Sequence, residues 1–100
     1  MYYIYILHSL QADKFYVGSS EDPNRRVMEH NTSPHNTFTS KHRPWVLVAS
    51  FPVGETRAIA VRYERKLKSL KSKNIILELI RHNGDLDFFA QLVRVPTGRD

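Results

Sequence analysis

Two short runs near the start of the chain, YYIYILH at 2–8 and FYVGS at 15–19, confine the fold more than anything else in the sequence. Tyrosine, isoleucine, phenylalanine and valine suit a pleated, half-buried surface. Only the six residues SLQADK separate the runs, a hairpin-length connection that predicts two antiparallel strands. Alternation along the first strand sets Tyr3 and Tyr5 on one face and Tyr2 and Ile4 on the other. Gly18, near the end of the second, permits a bend and a close backbone approach; it also fits a plain turn.

The stretch SSEDPNRRVMEHN follows. Asp22 can cap free amides, and Pro23 at the first helical position forfeits no hydrogen bond, so a helix is predicted to about Asn31. Residues 32–43, TSPHNTFTSKHR, have no apolar period and read as a long loop, which in a compact domain is more often functional or mobile than a short one. PWVLVASF at 44–51 reads as a third strand, with Trp45 in the core. Gly54 and Thr56 then introduce a helix whose apolar positions Ala60, Tyr63, Leu67 and Leu70 keep helical spacing. NIILELIRHN predicts another helix, started by Asn74 or the preceding serine and stopped by Gly84. In the tail, DLDFFAQLVRVPTGRD, Asp85 can cap a short helix, whereas QLVRV can add a strand. The order is β-β-α-β-α-α, and its first helix is too short to cross between parallel strands. That predicts an α+β domain with a small antiparallel sheet over residues 1–82. Residues 83–100 are expected as an extension, packed on the domain or partly flexible.

One hundred residues suffice for one core and not two. With no cysteine, disulfides, thiolate metal sites and a cysteine nucleophile are all excluded. The opening is apolar for only six residues after Met1, too short for a membrane span and without a basic leader, so a cytoplasmic protein is the expectation. The net charge of +5 and pI near 9.7 favour polyanionic partners. Residues 57–73 carry seven Lys or Arg against the single acid Glu64. By charge alone they describe a solvated helix face.

Several residues have chemistry beyond packing. A tyrosine whose hydroxyl faces a polar cleft can donate, accept or carry a proton, which applies to Tyr5 and Tyr16. Arg26 and His30 share a helix face at i,i+4. Arginine fits phosphate oxygens, and histidine titrates near neutral pH. Arg25 and Glu29 share the same spacing and offer plain surface pairing. Glu64 can pair with Lys68, worth about 0.2–0.5 kcal/mol. It can equally serve as the carboxylate ligand of a hard divalent ion whose shell is completed by water and phosphate.

Taken together, YIYIL at 3–7, YVGSS at 16–20, RRVMEHN at 25–31 and AVRYERKLKS at 60–69 resemble the GIY-YIG nuclease superfamily. The likeness is to its small stand-alone bacterial members, which are similar to the N-terminal nuclease domain of the bacterial repair excinuclease. It implies a three-stranded antiparallel sheet flanked by helices. It assigns Tyr5 to the first motif's tyrosine, Tyr16 and Gly18 to the second motif, and Arg26, His30 and Glu64 to the remaining catalytic positions. Glu64 is the implied metal ligand, for one Mg²⁺ or Mn²⁺. The first motif's glycine is replaced by Tyr3, and Ser19 stands where some relatives have lysine. Asn74 is the one candidate for an asparagine that some relatives carry after the glutamate. The implied activity is metal-dependent endonucleolytic hydrolysis of DNA, in repair or recombination. Lys41, Arg43, Arg62, Arg65, Lys66, Lys71 and Lys73 would grip the DNA backbone without sequence choice. A protein partner or a homodimer fits the small size. The alternative is a catalytically weak or inactive nucleic-acid-binding module of the same fold.

Overall fold

A computed structural model describes residues 1–34 and 38–95. The elements are β1 (Tyr2–Ser9), β2 (Phe15–Ser20), α1 (Pro23–Thr32), α2 (Phe38–Lys41), β3 (Trp45–Gly54), α3 (Arg57–Leu70), α4 (Lys73–Arg81) and α5 (Leu86–Val93). The sheet has three strands in the order β2-β1-β3, antiparallel throughout. This is the small α+β fold expected. Among the described residues no helix is long and apolar enough to cross a membrane.

Caps fix where the helices begin. The carboxylate of Asp22 accepts from the Arg25 amide at 3.1 Å, with Pro23 in the first turn. Thr56, Ser72 and Asp85 do the same for the amides of Ile59, Ile75 and Phe88 at 3.2, 3.2 and 3.0 Å. Each such cap is worth about 1 kcal/mol. Of the two starts open for α4, the structure takes Ser72 and leaves Asn74 inside the helix.

Two expectations change. Residues 32–43 are not loop throughout, because a single helical turn, α2, forms at Phe38–Lys41. One turn is too short to show a period; it is held by distant partners, the Trp45 indole N–H donating to the Thr39 carbonyl at 2.7 Å. Residues 35–37 of that stretch lie outside the described residues. In the tail, helix wins over strand. The Asp85 cap and the apolar pair Phe89 and Val93, four apart and both buried, seat α5 against the core. Residues 96–100 of the expected extension lie outside the described residues.

The two faces of the sheet are covered differently. Ile4, Ile6, Val17, Phe51 and Val53 point to one face and pack with Ala60, Leu67, Leu79 and Phe89 from α3, α4 and α5. Phe51 and Phe89 meet edge to face at 5.0 Å. Tyr5, Leu7 and Trp45 point to the other face, where Tyr16, Val27 and Leu47 join them. The α1 helix buries only His30 there.

Candidate active site

The site forms at the free edge of β2, where the two faces can communicate. Tyr5 lies opposite Gly18 in the ladder, and its ring crosses the glycine. A methyl group on Gly18 would overlap the Tyr5 phenol, so the close approach requires glycine here. The Tyr5 hydroxyl meets His30 Nε2 at 3.0 Å, and His30 Nδ1 meets the Thr39 hydroxyl at 3.0 Å. The imidazole is thus pinned at both nitrogens. Tyr5 is 1% exposed, and burial pushes its pKa up to about 12 against the opposing pull of Arg26. Burial lowers the His30 pKa, helped by the positive charge of Arg26. At neutral pH the pair is a protonated phenol beside a neutral imidazole.

Arg26 is half-exposed on α1, and its guanidinium donates to Glu29 at 2.7 Å. Glu29, and then the Tyr5 hydroxyl, hold its proton more firmly still. Glu29 also reaches Arg25 at 3.6 Å, so the surface pairing and the inward arginine coexist. Tyr16 stands edge-on to His30, with ring centroids 4.8 Å apart. Tyr16, Arg26, Glu29 and His30 line one cleft of about 670 Å³, within the range of about 300–1,000 Å³ usual for ligand sites.

Glu64 arrives from α3 on the other side of the edge strand. The Ser19 hydroxyl donates to Glu64 Oε1 at 2.7 Å, and the Lys68 ammonium donates to Oε2 at 2.8 Å. Ser19 is the residue after Gly18, and the negative charge of Glu64 contributes to the raised Tyr5 pKa. Lys68 Nζ also lies 5.6 Å from the Tyr16 ring centre. All five residues therefore gather round the Gly18–Ser19 edge. Among the described residues no group of three or more His, Cys, Asp or Glu could cage a metal. A carboxylate has about four acceptor positions, and Glu64 uses two of them. The donor set fits an ion that takes one carboxylate and fills its shell with water and phosphate oxygen.

The cationic residues divide. Lys71 and Lys73 lie beside Lys68 in a neighbouring cleft. At 3.6 residues per turn, Arg62 and Lys66 point about 200° round α3 from Glu64 and Arg65 about 100°, so they are not gathered with it. Lys41 is exposed at the end of α2. Arg43 is committed internally: its guanidinium donates to the carbonyls of His30, at 2.7 Å, and Ser33. Thr39 and Ser19 went unassigned in the sequence, and Lys68 stood only as a surface partner. The i,i+4 spacing of Glu64 and Lys68 was the one signal that could have promoted any of these three.

The model of the GIY-YIG catalytic domain matches residues 1–76. The chain belongs to the GIY-YIG family. Structure-specific endonuclease subunit SLX1 of Meyerozyma guilliermondii is 33% identical over 76 residues, covering 71% of this chain and 26% of that protein. Its counterpart in Debaryomyces hansenii is 36% identical over 76 residues, 67% of this chain and 21% of that protein. This GIY-YIG chain therefore spans only 21–26% of the length of those two relatives. UPF0213 protein lwe0147 of Listeria welshimeri is 33% identical over 84 residues, 84% of this chain and 91% of that protein.

Proposed function

We propose that the chain is a divalent-metal-dependent DNA endonuclease. The observation carrying this reading is the meeting of Tyr5, Tyr16, Arg26 and His30 on one side of the β2 edge with Glu64 bonded to Ser19 on its other side. The similarity to structure-specific endonuclease subunits supports DNA as the substrate and a preference for DNA structure over sequence.

Each side chain then has a distinct task. Arg26, which lines the cleft, meets a non-bridging phosphate oxygen and stabilises the charge that grows in the transition state. To do so it exchanges Glu29 for phosphate. Glu64 would hold Mg²⁺ or Mn²⁺, with the Ser19 hydroxyl fixing one of its oxygens. A bound divalent ion supplies Lewis-acid stabilisation to the phosphate and the leaving 3′ oxygen. Tyr16, which borders the cleft while Tyr5 is buried, orients the attacking water and takes its proton as a phenolate, having first released its own proton to solvent. Tyr5, with its pKa pushed up to about 12, serves as a neutral donor that holds His30. His30 in turn stands edge-on against Tyr16. Tyr5 and His30 therefore position the reacting tyrosine.

Single-turnover cleavage of labelled duplex, branched and single-stranded DNA with Mg²⁺ or Mn²⁺ tests the reading. Cleavage is expected from the wild type, falling by about 10²–10³ in Arg26→Ala, the loss typical of one transition-state donor. Glu64→Ala should abolish the metal dependence. Full activity in either variant, or no cleavage by the wild type on any substrate, overturns the proposal. Metal-indifferent DNA binding without turnover would instead identify a binding module of this fold.

A further inference from the structure

A second cleft, of about 370 Å³, adjoins the first. Phe38 lines both and forms the wall between them. The floor of the second cleft is apolar, built from Phe15 and Val17 of β2, Leu67 of α3 and Ile76 of α4. Its rim carries Lys14, Lys68, Lys71 and Lys73. The one carboxylate there, Asp13, is bonded to Lys73 at 3.0 Å and to His8 at 2.9 Å. Lys68 is paired with Glu64 at 2.8 Å, so Lys14 and Lys71 leave the rim positive.

An apolar floor with an aromatic ring and ammonium groups round its edge suits a flat base carried on a phosphate chain. The Phe15 ring is met by the His8 ring at 4.8 Å and by the Lys73 ammonium at 5.9 Å. Lys73 is half-exposed and can withdraw to admit a base. Phe38, 47% exposed, offers a second ring at the other end. Lys68 joins this cleft to the candidate active site, since its Nζ touches Glu64 at 2.8 Å and overlies Tyr16. A strand whose phosphate lies at Arg26 and Glu64 would place an adjoining nucleotide here. Lys71 sits in the left-handed region (φ 48°, ψ 41°) at the end of α3, where glycine is the cheaper residue.

We infer that this cleft is a subsite for one unpaired nucleotide next to the scissile phosphate. Its base stacks on Phe15, and its phosphates lie against Lys68 and Lys71. The inference rests on the endonuclease reading and deepens it. A base still paired in a duplex cannot enter the cleft, so the subsite favours flaps, bulges and branch points over continuous duplex.

The test is a binding experiment on the full chain in EDTA, independent of turnover. Oligonucleotides carry 2-aminopurine either in a single-stranded flap or within a matched duplex. The wild type should quench the flap base on binding and leave the paired base unchanged. Phe15→Leu keeps apolar volume but removes the stacking face. It should lower the ratio of flap to duplex affinity about tenfold. Absence of quenching in the wild type overturns the subsite, as does an unchanged ratio in a Phe15→Leu protein that melts normally. Should Phe15→Leu fail to fold, the wild-type quenching decides alone. Displacement of the oligonucleotide by an equal concentration of a polyglutamate peptide also overturns it, since the cleft would then read charge only. A protein that cleaves DNA without quenching loses the subsite alone; one that quenches but never cleaves keeps the subsite and loses the endonuclease reading.

Discussion

The two faces of the sheet solve opposite problems with the same three strands. On the α3–α5 face, side chains such as Ile4, Ile6, Phe51, Leu79 and Phe89 are buried against one another, and their stabilisation is non-directional. On the α1–α2 face, directed bonds join a smaller apolar cluster of Tyr5, Leu7 and Trp45. The Asn31 amide donates to the Trp45 carbonyl at 2.9 Å and its oxygen accepts from the Trp45 amide at 2.7 Å. Arg43, Thr39 and Tyr5 all converge on His30. A face held by directed bonds keeps its side chains in fixed orientations while leaving polar atoms beside a cleft, whereas the apolar face contributes Glu64 from α3 and the floor of the second cleft. Among the described residues no buried side-chain nitrogen or oxygen lacks a partner, so this polarity is compensated.

Phe89→Ala is the largest test of that division. Removing a fully buried ring from the apolar face should cost about 3–5 kcal/mol in urea unfolding. Activity of the fraction still folded should persist, because Phe89 meets α3 at the Tyr63 ring, 5.6 Å between centroids, and not at Glu64 itself. Loss of turnover in folded Phe89→Ala protein would show that the two faces are not separable.

The next effect belongs to the polar face and has a defined pH window. The Tyr5 pKa rises from 10.0 to about 12 on folding, so the folded state retains a proton that the unfolded state releases above pH 10. The resulting stability is complete below pH 10 and disappears as pH rises from 10 towards 12, a loss of about 2–3 kcal/mol. Denaturation of the wild type beside Tyr5→Phe across this range should show the extra loss only in the wild type. His30 works from the other side. Its pKa is lowered from 6.5, so its contribution is present above pH 6.5 and shrinks as pH falls through the folded value. Equal slopes in wild type and Tyr5→Phe at alkaline pH would break the picture of a phenol sealed on this face.

Gly18→Ala follows in size. The added methyl would meet the Tyr5 phenol, and overpacking of this kind costs about 1–3 kcal/mol. Because the displaced ring holds His30, cleavage should fall further than stability predicts. A thermal melt paired with single-turnover rates at a temperature where the variant is fully folded separates the two effects.

These contrasts also explain which features could be read from the chain. Strands, caps and the α3 stripe depend on neighbours within a few residues, so YYIYILH, Asp22–Pro23 and Ala60–Leu67 announce themselves. The one-turn α2 does not, since its support comes from Trp45 and from the Thr39–His30 contact. Ser19 and Glu64 stand 45 positions apart, and no periodicity reports such a meeting. Arg43 shows the same limit, since its donation to the His30 and Ser33 carbonyls joins positions 13 and 10 apart. The five residues of the candidate site came from motif resemblance; their shared edge, and the separation of buried Tyr5 from cleft-lining Tyr16, required the fold.

The smallest predicted effect is at the rim of the second cleft. Lys71 adopts left-handed backbone at the end of α3, a conformation that costs a residue with a side chain about 1–2 kcal/mol. Glycine avoids this cost but adds freedom to the unfolded chain, worth about 0.4–1 kcal/mol in the other direction. Lys71→Gly should therefore raise stability modestly, by up to about 1 kcal/mol in urea unfolding. If Lys71 meets one phosphate of a single strand, its removal should also reduce the slope of log affinity against log salt by about 0.7. A variant that folds better and binds with a shallower salt slope would locate the conflict between fold and function at one residue. Higher stability with an unchanged slope would assign Lys71 to the turn alone and withdraw it from the proposed nucleotide cleft.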